Sequence, residues 1–96
     1  MKKELRSKLI NILRSYGAIE IILFGSYARG DNRPDSDVDV IVEFNETKGL
    51  IKKAEIIRVI YEKLGVQIHL LSKDYINPLL KPYIEKDMKE LWVSRN

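Results

Sequence analysis

The segment Gly25-Ser26-Tyr27-Ala28-Arg29-Gly30-Asp31-Asn32-Arg33-Pro34-Asp35-Ser36-Asp37-Val38-Asp39-Val40 decides how the rest of the chain is read. It joins two apolar runs. Ala18 to Phe24 reads as a strand with apolar residues on both faces, which predicts a central position in a sheet covered on both sides. Asp37 to Phe44 reads as a second strand, carried by Val38, Val40, Ile41, Val42 and Phe44. Two glycines and a proline between them predict a tight turn at Gly25, a short helix opened by Ser26, and a loop through Asp31-Asn32-Arg33-Pro34.

A strand that ends in Gly25-Ser26 and turns into a helix offers free backbone N–H groups to an anion. Glycine permits close approach, the serine hydroxyl adds a donor or caps the helix, and Arg29 lies one turn further on, within reach of the same phosphate. Taken alone, Gly-Ser is far more often a plain strand-to-helix turn with Ser26 as an ordinary N-cap. It is neither a Walker loop nor a Gly-x-Gly-x-x-Gly fingerprint.

Asp37 and Asp39 are two apart at the start of a strand, so both project from one face while Val38, Val40 and Val42 face the core. Like charges on adjacent same-face positions repel, and a divalent cation turns that cost into binding. Magnesium takes hard oxygen ligands, often one or two carboxylates with substrate phosphates. The competing account leaves Ser36 and Asp37 as loop-end polar residues and Asp39 merely exposed. A second aspartate inside a valine-rich strand, beside a phosphate turn, speaks against it. Together the two strands define a place for a nucleoside triphosphate and its metal.

Outward from this centre, Leu5, Leu9, Ile12, Leu13 and Tyr16 have helical spacing over Lys2 to Tyr16, with Gly17 as a stop. Thr47 can cap a long helix with an apolar stripe of Leu50, Ala54, Ile57, Ile60, Tyr61 and Leu64, ended by Gly65. Val66 to Leu71 reads as a third strand. Asn77-Pro78 predicts a final helix lined by Leu79, Leu80, Tyr83, Ile84, Met88 and Leu91, with Pro82 an early break and Trp92-Val93 near the end. The order α-β-α-β-α-β-α means one α/β layer structure over residues 1–96, with no repeat or linker.

Composition agrees with one packed domain: 96 residues, 45% apolar. The absence of cysteine excludes disulfides, thiolate metal sites and a cysteine nucleophile. Met1-Lys2-Lys3-Glu4-Leu5-Arg6 lacks the uninterrupted apolar core of a signal peptide, and no apolar run approaches roughly 18 residues, so we expect a cytoplasmic protein with no membrane partner. The charge of +3, from 17 basic and 14 acidic residues, is scattered and gives little support to a nucleic-acid partner.

Gly25-Ser26, ten residues, then Asp37-Val38-Asp39 resembles the signature of the minimal nucleotidyltransferases of the DNA polymerase β-like superfamily. The resemblance covers nearly the whole chain. It implies a nucleotidyltransferase fold, a small mixed three-stranded sheet with flanking helices (α/β, or α+β in some schemes). It implies a nucleoside triphosphate, ATP foremost, contacted by Gly25 and Ser26. Two magnesium ions, with manganese as an alternative, would be held partly by Asp37 and Asp39, and a nucleoside monophosphate would pass to a hydroxyl as pyrophosphate leaves. Stand-alone members pair with HEPN-domain proteins as antitoxins that nucleotidylate the partner. So short a chain has little room for its own acceptor-binding domain, so the acceptor surface is expected from such a partner or a second copy in a homodimer. Leu91, Trp92 and Val93 are candidates for that contact, or for this chain's own core.

Family members usually carry a third carboxylate on the next strand, where Val66-Gln67-Ile68-His69-Leu70-Leu71 here places His69. A neutral imidazole there can act as general base, as a softer ligand that favours manganese, zinc or nickel, or mark a weakened site. It can also be a strand histidine without a role. Asp74 lies past the strand and reads as a turn residue. Two functions follow: a nucleotidyltransferase, or a nucleotide-binding partner that acts by protein contact alone.

Overall fold

The computed structural model describes residues 1–95. Helix α1 (Lys3–Ser15) leads through Gly17 into strand β1 (Ala18–Phe24), the short helix α2 (Gly25–Arg29) and strand β2 (Val38–Phe44). Helix α3 (Leu50–Leu64) then crosses to strand β3 (Ile68–Ser72). A 3-10 turn (Pro78–Leu80), helix α4 (Lys81–Asp87) and strand β4 (Lys89–Val93) complete the chain. The sheet has the order β3-β2-β1-β4. β1 pairs antiparallel with both β2 and β4, while β2 and β3 run parallel, as the α3 crossover requires.

The expected three-stranded sheet is therefore four-stranded. The helix drawn through Met88 and Leu91 ends at Asp87, because Met88 turns to extended backbone (φ −63°, ψ 140°). The chain then pairs with the free side of β1. The expectation that β1 is central required such a neighbour. With β2 and β3 alone, an apolar strand would sit at an open edge. Leu91 and Trp92 consequently pack against this chain's own core.

That core lies on one face. Leu9 and Leu13 of α1 and Ile56 and Ile60 of α3, all fully buried, cover Ile21, Leu23, Val38, Val40, Val42, Ile68 and Leu70. Val38, Val40 and Val42 face inward as their alternation with Asp37 and Asp39 predicts. The stripe on α3 needs correction. Ile56 is buried, whereas Leu50 (85% exposed) and Tyr61 (56%) face outward, and Gly49, not Thr47, is the N-cap. The core-facing line is Ile56, Ile57, Ile60 and Leu64, set by where α3 meets the sheet and α1. On α4 only Ile84 is buried; Tyr83 stays exposed, as do Leu79 before the helix and Met88 after it.

On the opposite face of the sheet, Ile41 and Ile84 are buried apart from the main cluster. Glu20 and Glu43 stand opposite each other in the β1–β2 register, an unfavourable like-charge pair. Lys73 relieves it by pairing with Glu20 and, at 3.4 Å, with Glu43. No helix among the described residues is long and apolar enough to cross a membrane.

Ile60→Ala is expected to cost about 2–5 kcal/mol in urea unfolding through the cavity it leaves. Ile51→Ser, at a site 90% exposed, should stay within about 0.5 kcal/mol; equal losses would contradict this placement of α3.

Candidate active site

The antiparallel register pairs Phe24 with Asp39, so the residue after Phe24 lies directly beside the aspartate. That residue is Gly25, at φ +73°. A Cβ built on it would stand 2.2 Å from Asp39 Oδ2. Backbone conformation and space therefore both require glycine: the carboxylate occupies the volume that any other side chain would fill. The two motifs are joined by direct contact.

From Gly25 the chain enters α2, anchored by buried Ala28. Ser26 does not cap this helix, because Phe24 holds the N-cap position and Ser26 is the second helical residue. The first N–H groups of α2 have no intrahelical acceptor and border the cleft. Gly30, left-handed at φ 84°, ends the helix with a bond from its N–H to the Ser26 carbonyl (2.9 Å). The loop then closes through the Arg33 N–H donating to Ser36 Oγ (2.8 Å), and the Ser36 N–H to the Arg33 carbonyl (3.0 Å). Asp37 emerges directly from that turn.

Asp37 is exposed and Asp39 half-buried. In the parallel ladder Asp39 pairs with His69, whose Nδ1 lies 3.2 Å from Asp39 Oδ1. The strands thus bring His69 to Asp39, as the alternation of Val66 to Leu71 predicts. Burial pushes the Asp39 carboxyl above its ordinary value, with a smaller upward push from Asp37; His69 and Arg29 pull the other way. Against an ionised Asp39, Nδ1 carries the donated hydrogen, and Nε2 is then the basic nitrogen. Asp74 lies in the turn after β3, as expected.

No group of three or more His, Asp or Glu side chains among the described residues converges on a metal-sized space. The described residues therefore form no closed protein cage. Two neighbouring carboxylates, one seated in a cradle that a Cβ would fill, fit a hard cation that takes its remaining ligands from phosphate and water.

A cleft of about 530 Å³ opens beside this contact, walled by Phe24, Gly25, Ser26 and Asp39 on the sheet side and by Tyr83 and Lys86 of α4 on the other. Arg29 also borders it, but its guanidinium is committed: Nη1 lies 2.9 Å from Asp87 Oδ2 and Nε 3.2 Å from Asp31 Oδ2. The contribution of α4 was not foreseen. The spacing of Tyr83, Lys86 and Asp87, which repeats at one helical turn, was the available signal, masked by the apolar stripe drawn through the same helix. A larger groove, about 620 Å³, lies between β4 and α1 around Arg6, Arg14 and Trp92; it has neither a carboxylate pair nor a phosphate turn.

A glycine turn that opens a helix beside a cleft, with Asp37 and Asp39 where the adjoining strand begins, is the layout expected of a nucleotidyl-transferring domain. Comparison with known proteins agrees. The model of the nucleotidyltransferase domain matches residues 6–91. The putative protein adenylyltransferase MJ0435 of Methanocaldococcus jannaschii is 38% identical over 81 residues, covering 84% of this chain and 87% of that protein. The protein adenylyltransferase MntA of Thermococcus cleftensis is 40% identical over 72 residues, covering 75% and 66%. Among solved structures, a toxin–antitoxin crystal structure with AMP-PNP superposes with a TM-score of 0.82 at 26% identity, over 94% of this chain and 74% of that one. The chain belongs to the nucleotidyltransferase domain family and to its minimal, MNT-type branch.

Because the folded state holds the Asp39 pKa up, ionising this group costs stability as pH rises above the ordinary value of 3.8. Asp39→Asn should therefore raise Tm at neutral pH, and the gain should fade as pH falls below that value. A variant less stable than the parent at neutral pH would show that His69 pairing outweighs burial.

Proposed function

We propose that this chain transfers AMP from ATP to a hydroxyl on a partner protein, as the antitoxin-like half of a pair with a HEPN-domain protein. The carrying observation is the contact of Asp39 with Gly25, which sets a metal-binding carboxylate against the phosphate turn. Relatives named as protein adenylyltransferases support the AMP group and the protein acceptor. The toxin–antitoxin structure with AMP-PNP supports an adenine nucleotide and a protein partner. The resemblance of Gly25-Ser26 and Asp37-Val38-Asp39 to antitoxins of HEPN/MNT pairs supports the kind of partner.

In the reaction the acceptor oxygen bonds to the α-phosphorus, the bond from that phosphorus to the bridging oxygen breaks, and pyrophosphate leaves with the electron pair. Amides at Gly25 and Ser26 hold and orient the phosphates. Asp37 and Asp39 would hold magnesium or manganese, which when bound neutralises the triphosphate and acidifies the acceptor hydroxyl. His69 Nε2, freed by the Nδ1 contact with Asp39, takes the acceptor proton.

One observation favours a second reading. The ladder position opposite Asp39 carries His69 rather than a carboxylate, which suits a chain that binds nucleotide and acts on its partner by contact alone. Incubation with α-phosphate-labelled ATP, magnesium or manganese, and the HEPN-domain partner separates the two. Label on the partner, reduced on the order of 100-fold or more by Asp37→Asn or Asp39→Asn, is the expected result. Nucleotide binding without transfer under either metal would leave only the second reading.

A further inference from the structure

We infer that Lys86 of α4 is the side chain that meets the β- and γ-phosphates of the nucleotide, while Arg29, the cation nearest in sequence to the phosphate turn, serves instead to latch α4 in place. This rests on the reading of the cleft as a triphosphate site and adds a residue to it.

Arg29 is poorly available for phosphate. It answers two carboxylates at once, and Asp87, the closer, has a side chain only 13% exposed. The pair ties α4 to α2 across 58 residues of sequence. Lys86 immediately precedes Asp87 and lines the same cleft as Gly25 and Ser26. It forms no ion pair with any described residue. The latch thus neutralises one cation while it keeps another in the wall of the cleft that Gly25 and Ser26 also line.

Strand order gives the cleft a direction. His69 stands on β3, Asp39 on β2, and Gly25-Ser26 at the end of β1, with α4 packed beyond on α2 and β1. The cleft includes Asp39 and Lys86 but neither Asp37 nor His69. Asp39 therefore marks the boundary between two sides. In-line displacement places the attacking and leaving oxygens on opposite sides of the phosphorus. With His69 on the acceptor side, the leaving pyrophosphate lies toward α4. A lysine, a point charge on a flexible stem, can follow the charge that grows there.

The test compares magnesium-dependent binding of ATP and of AMP by the full chain, its K86A variant and its K86R variant. Lys86 is exposed, so neither substitution disturbs the core. K86A should weaken ATP about 10- to 100-fold, the size of one charge-assisted hydrogen bond. AMP, which lacks the β- and γ-phosphates, should change less than about twofold, and K86R should recover most of the ATP affinity. ATP binding unchanged in K86A, or ATP and AMP weakened alike, overturns the assignment while the nucleotide site stands. A parent chain that binds neither nucleotide overturns the triphosphate reading and this inference with it.

Discussion

The candidate site depends on a carboxylate resting against a residue with no side chain. Asp39 reaches Gly25 because the β1–β2 register sets it opposite Phe24, and it fits because Gly25 has no Cβ and a backbone at φ +73°. Through that contact the end of one strand and the start of another become one site. Burial raises the pKa of Asp39 and the neighbouring Asp37 adds to it. A negative group is thus held where the protein alone does not favour it, the condition in which a neighbouring cation gains most.

Everything else fixes that geometry. Val38 and Val40 are buried to zero exposure and alternate with Asp37 and Asp39, so the residues that seat β2 in the core also aim its carboxylates outward. Helices α1 and α3 cover one face of the sheet, and the cleft opens at the end of β1 and the start of β2. β4 closes the outer flank of β1, while the Arg29–Asp87 pair brings α4 to the mouth of the cleft. The site thus has a rigid floor of strands and one wall held by an exposed ion pair.

The floor was legible in the sequence and the wall was not. Gly25, Ser26, Asp37, Asp39 and His69 are separated in the chain, but strand alternation and the Gly-Ser to Asp-x-Asp spacing bring them together before any coordinates are known. The period of two leaves each residue only one face to occupy. The C-terminal third gave no such constraint. Leu79, Leu80, Tyr83, Ile84, Met88 and Leu91 fit a helical stripe, yet only Ile84 is buried and Leu91 belongs to a strand. What decided that segment was tertiary: β1 had an unpaired side, and local periodicity does not report a vacancy elsewhere in the sheet. For the same reason the Arg29–Asp87 pair is not legible in the sequence, since its partners lie 58 residues apart. On α3, residues a single step around the helix separate Ile56 from the stripe first drawn, and the direction of packing chose between them.

The central claim is that the phosphate turn and the paired aspartates respond as one site. Amide NMR of the labelled chain, titrated with AMP-PNP and magnesium, tests it most directly. The account predicts shifts concentrated together at Gly25 to Tyr27, Asp37 to Asp39 and His69, with both motifs following one binding curve. Shifts confined to the groove of Arg6, Arg14 and Trp92, or the two motifs titrating independently, would contradict it.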